Sequence, residues 1–148
     1  MDSNKWLINL NDDKNIVFGK PSICIQKAKT EVPSISVMRF CRCGNKKDGI
    51  TYTRNLSSVV TMNDSIATIA KDFPISIDKI FRFQEQEVTI FLPVGSKIFI
   101  QKGMDEMFEN VFMPWEYSYS DLSGKTWVMT ENGLDSIPNN KVETVLNK

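Results

Sequence analysis

Histidine is absent from all 148 residues, and that absence excludes much of the chemistry a small domain could perform. Ser–His–Asp and Cys–His catalysis, imidazole acid–base work near neutral pH and histidine-ligated metal sites all need it. Cysteine is scarce. Cys24, Cys41 and Cys43 are an odd, sparse set, unlike the disulfide framework of a small secreted domain. No apolar run approaches the ~20 residues of a membrane-spanning helix, so membrane insertion is not expected. The opening MDSNKWLINLNDDKN has no basic stretch followed by an apolar one, so the expectation is synthesis in the cytoplasm without a secretory leader. An excess of charge is missing too, with 18 basic and 18 acidic side chains. A nucleic-acid partner therefore has no electrostatic footprint here. No glycine-rich phosphate loop or Walker lysine occurs, and neither metal nor cofactor is expected.

The chain does have a globular composition, 41% hydrophobic and 24% charged, at a length suited to one domain with arms. Its charge is uneven along the sequence. Residues 27–54 hold seven basic side chains against two acidic, while residues 103–148 hold eight acidic against three basic. Two such stretches can meet within one molecule or between neighbours, and complementary charge would fix their register.

Residues 1–56 read as short strands. NIVF, SICIQ, SISVMRFCR and GITYT are rich in β-branched and aromatic residues, with CGNKKDG between the last two as a hairpin loop. Cys41 and Cys43 would share one face of a strand, but two thiols without histidine do not close a zinc site. They read as ordinary small residues, as does Cys24. The period then changes. In DSIATIAKDF, Ile66, Ile69, Ala70 and Phe73 fall at helical spacing, with Asp64 as N-cap and Pro74 as stop. Ser76 is placed to cap a second helix carrying Ile77, Ile80 and Phe81, and PVGSKIFIQ reads as a turn and strand. Ile69, Phe73, Ile80 and Ile98 are the expected core of this stretch.

Strand, helix, helix, strand over residues 57–102, with these residues at these positions, resembles a lysin motif (LysM) domain. Asp64-Ser65-Ile66, Ile69-Ala70, Ser76 with Ile80, and Pro93, Gly95, Lys97, Ile98 and Ile100 match the family pattern in order, with Val94 as one extra residue and Asn63 in place of the usual glycine. The resemblance implies a groove that binds N-acetylglucosamine polymers such as peptidoglycan or chitin. Asn63, Asp64, Ser65 and Ile66 would form one side, and a loop from Glu87 onward, with Val88, Ile90, Phe91, Leu92 and Pro93, the other. It equally implies a protein adaptor, since short LysM proteins with arms occur in the baseplates of contractile phage tails and injection systems.

In residues 103–148, Met104, Met107, Phe108, Val111 and Phe112 make a helical stripe, followed by alternating Trp115, Tyr117 and Tyr119. Met107, Phe108, Phe112, Trp115 and Tyr117 are the candidates for a partner-binding arm. The tail ENGLDSIPNNKVETVLNK reads as too polar and broken to build a core. The expected fold is therefore α+β: a LysM-like βααβ module at 57–102, a β-rich segment at 1–56 and a helix–hairpin arm at 103–148. The expected function is that of a non-enzymatic adaptor contacting other subunits of a large symmetric assembly such as a contractile tail or virion, with glycan binding as the alternative.

Overall fold

The computed structural model describes residues 6–8, 16–76 and 82–137. Its strands, in chain order, are β1 (Trp6–Ile8), β2 (Ile16–Gly19), β3 (Ser22–Lys27), β4 (Ser34–Phe40), β5 (Val60–Asn63), β6 (Ile66–Ile69), β7 (Phe73–Ser76), β8 (Glu85–Leu92), β9 (Lys97–Ile100), β10 (Phe108–Val111), β11 (Lys125–Thr130) and β12 (Gly133–Ile137). Between β4 and β5 lies α1 (Lys46–Arg54), the one α-helix among the described residues. The sheets run β1-β2-β7, β10-β3-β8-β4, β12-β11-β9 and β5-β6.

The fold is thus mostly β, which corrects the expected α+β class. The supposed first helix, DSIATIAKDF, is a hairpin: β5 and β6 pair in antiparallel register from Asn63↔Ile66 to Val60↔Ile69. Asp64 opens its two-residue turn at φ 53°, a left-handed conformation that aspartate tolerates and a helix N-cap does not adopt. Ser76, expected to cap a second helix, ends β7, and the rest of that helix, 77–81, lies outside the described residues. The helical stripe at 104–112 is a single 3-10 turn, Asp105–Met107, running straight into β10. GITYT, expected as a strand, lies within α1.

Two compact units divide the chain, and neither is contiguous: Met1–Ser22 with Val37–Val88, and Ile23–Ser36 with Thr89–Lys148. The chain passes between them at the start of β3 and within β4 and β8. The expected boundaries at 56 and 102 follow the chain, whereas these units do not.

In the first unit, β2 pairs with β7 so that Gly19 lies opposite Phe73 and Val17 opposite Ile75. Val17, Leu56, Val59, Phe73, Ile75 and Val88 are among its buried apolar residues. Phe73 fits because position 19 has no side chain: a Cβ there would lie 2.5 Å from the ring. Of the residues expected in the core, Phe73 is buried and Ile69 only partly so. Gln86, also buried, is anchored at both ends of its amide. It donates to the Ser57 carbonyl at 2.8 Å and accepts from the Arg39 guanidinium at 3.2 Å.

In the second unit, β3 and β10 pair in parallel, and β9, β11 and β12 form an antiparallel meander. Trp127, Leu122, Met129, Leu134, Ile23 and Ile25 are fully buried. Trp127 also closes a polar need, donating its indole N–H to the Leu122 carbonyl at 3.0 Å. β12 arises from ENGLDSI, the stretch read as too polar for a core. Its Leu134 is fully buried, and Gly133 at φ 107° lets the chain turn against the backbone of Phe112 and Met113.

Candidate functional site

The residues expected to frame a glycan groove lie on a hairpin and a strand. Asn63, Asp64, Ser65 and Ile66 are the exposed tip of the β5–β6 hairpin. Val88, Ile90, Phe91 and Leu92 belong to β8, with Val88, Leu92 and the following Pro93 buried, so the expected second loop is a strand.

The expected partner-binding arm divides in two. Phe108 is buried in β10, and Met107 and Phe112 are half-buried. Tyr117 packs edge-on against Trp127 at 5.1 Å and donates its hydroxyl hydrogen to Asp135 at 2.8 Å. That bond, then partial desolvation and the Asp135 charge, hold its phenol above the usual tyrosine range. These side chains serve the unit's own core. Trp115 does not: it is 91% exposed, on a turn beside Glu116, in a unit that also displays Glu106.

A groove missed from the sequence lies in the first unit, where the end of β4 meets α1. It is an open depression of about 490 Å³ lined by Arg39, Phe40, Cys41, Cys43, Lys46, Ile50 and Thr53. Its local cause is α1, which begins because the Asn45 side chain accepts from the Asp48 amide at 2.8 Å. Asp48 then sits in the first turn and Arg54 in the last, each favoured by the helix dipole. Yet α1 buries no residue, and Ile50 is 46% exposed. β4 is equally uncovered. It is the edge strand of its sheet, and Met38 and Phe40 on one face and Val37 on the other are exposed. Around the groove the chain carries Arg39, Arg42, Lys46 and Lys47 against the single acid Asp48. The Asn45 cap and the Asn-Lys-Lys-Asp run were the available signal for a helix start at this point.

Cys41 is pushed up to about 11 by burial, then by its hydrogen bond to Cys43 and that group's charge, against the opposing pull of Arg82. Among the described residues no group of histidine, cysteine, aspartate or glutamate side chains is arranged to hold a metal ion. Nor is any helix among them long and apolar enough to cross a membrane.

A family model described as "ToastRack found in some PspC" matches residues 7–140, nearly the whole chain. The chain belongs to the Toast-rack family. This overturns the LysM resemblance, whose 57–102 segment is an internal stretch of the Toast-rack match, and with it the baseplate and contractile-tail assignment drawn from it. The mostly β architecture is that of this Toast-rack chain. No curated protein and no solved structure matches it significantly.

Proposed function

We propose that this Toast-rack chain is a non-catalytic structural module that associates head to tail with further copies of itself. In this reading Trp115 of one copy enters the β4–α1 groove of the next. The observation that carries it is the 91% exposure of Trp115. Burying an indole contributes several kcal/mol to an interface, and tryptophan is enriched among binding hot spots. The groove offers apolar lining at Phe40 and Ile50, room for a ring, and basic side chains at Arg39 and Lys46, opposite which Glu116 and Glu106 supply complementary charge.

Head-to-tail contacts are heterologous, so a variant lacking the tryptophan and a variant lacking the groove each keep one working half. Trp115→Ala and Ile50→Asp alter exposed side chains and should leave the fold intact. In sedimentation velocity the native chain should form oligomers that grow with concentration, and each variant alone should be a monomer. Their mixture should stop at a dimer. A native chain that stays monomeric at high concentration, or a mixture no larger than its parts, overturns the proposal.

A further inference from the structure

Cys41 and Cys43 lie in the connection from β4 to α1 with their sulfurs 2.6 Å apart, about half an ångström beyond a disulfide bond length. Both are free, half-buried and part of the open groove. The surrounding chain holds them in place. Cys41 faces the Gly49 carbonyl at 3.7 Å, and a side chain at position 49 would approach its sulfur at 3.6 Å and the Cys43 Cβ at 4.0 Å. Thus α1 presents bare backbone to the pair. On the other side the Arg82 guanidinium sits over the Tyr52 ring at 4.3 Å. Desolvation works against its charge, but Tyr52 and Cys43 more than offset this and hold it firmly protonated. The third cysteine, Cys24, is buried in β3.

We propose that Cys41 and Cys43 are a reversible dithiol–disulfide pair that exchanges with small-molecule disulfides. The thiolate of Cys43 attacks one sulfur of the external disulfide, which breaks and releases one thiol, leaving a mixed disulfide on Cys43. Cys41 then loses its proton to solvent and attacks the Cys43 sulfur, expelling the second thiol. In sum, the two protein thiols are oxidised to one disulfide and the external disulfide is reduced to two thiols. The order follows from the local electrostatics. Burial and Cys43 both hold Cys41 protonated in the reduced pair. Once Cys43 is in mixed disulfide its charge is gone, and the Arg82 guanidinium acts on Cys41 with less opposition.

The test uses the full chain, equilibrated in glutathione buffers of increasing oxidation, quenched in acid, alkylated and weighed. Two thiols should disappear together, giving a monomer lighter by two hydrogens with no glutathione attached, and dithiothreitol should restore both. Cys41→Ser should stop at a single glutathione adduct on Cys43, whereas Cys24→Ser should behave as the native chain does. Retention of all thiols under excess oxidised glutathione would overturn the proposal. So would separate stable adducts on Cys41 and Cys43, or disulfide-linked dimers as the main product.

Discussion

Gly133 and Gly19 are single positions where adding one carbon should be felt through the whole chain. At Gly133 a Cβ would stand 2.7 Å from the Phe112 carbonyl oxygen, which belongs to backbone and cannot swing aside, on a residue at φ 107°. Gly133→Ala should therefore cost more than about 1 kcal/mol, the upper range for a compatible site, with the sign reversed. Gly19→Ala meets the buried ring of Phe73 and should cost about 1–3 kcal/mol by overpacking. Urea unfolding followed by tryptophan fluorescence measures both, and a variant as stable as the native chain would count against the packing described. A pH effect sits at Asp121. The Ser118 backbone N–H, bonded at 2.8 Å, holds its carboxyl below the ordinary 3.8; partial desolvation opposes this, while the Ser118 hydroxyl and Lys125 add to it. A depressed folded value adds stability above the unfolded one and loses it as pH falls through the folded one. Unfolding midpoints of the native chain and Asp121→Asn should accordingly converge as pH drops below about 4 and separate above it.

Among the elements, α1 and the β5–β6 hairpin are held by local hydrogen bonds more than by burial. α1 buries no residue, and Thr61 through Thr68 of the hairpin are exposed. Isolated nine-residue helices and two-stranded hairpins are marginal in water. Amide hydrogen exchange should consequently be fastest in these two elements and slowest in β11, whose Trp127 and Met129 are fully buried. Comparable protection in α1 and β11 would contradict this. Asn45→Ala should raise exchange in α1 alone, since the lost cap is worth about 1 kcal/mol. The same feature explains what the sequence concealed here. The spacing of Ile66, Ile69, Ala70 and Phe73 satisfies a helical period, but Ile66-Ala-Thr-Ile69 alternates nothing because neither face is buried. With no buried face, periodicity had nothing to report, and the Asn63-Asp64-Ser65 turn decided the conformation. Strands with a covered face were legible: SICIQ and the KIFI of PVGSKIFIQ stand where they are expected, as β3 and β9.

At the scale of the whole molecule, the second unit carries one exposed ion pair between the oppositely charged stretches, Lys27 with Glu131 at 3.0 Å. That exposed pair contributes little stability, and in the proposed contact between copies the basic groove faces Glu116 and Glu106. Association through Trp115 should hence weaken and slow as salt rises, with the rate affected more than the lifetime of the complex. Stopped-flow measurements at two ionic strengths check this, and a rate indifferent to salt removes charge from the account. The groove itself was hidden from sequence reasoning because Phe40 and Ile50 are ten residues apart and in different kinds of element.

β3 has β10 on one side and β8 on the other, and both lie far downstream. During synthesis, then, Ser-Ile-Cys-Ile-Gln-Lys leaves the ribosome as a bare apolar strand and must wait for residues 85–92, and then 108–111, before either of its edges is closed. Long-range pairing of this kind is slow to form and open to misassembly while it waits. A pause in translation before residue 111 would strand every nascent copy in that condition, with the parallel partner of this buried strand still unmade.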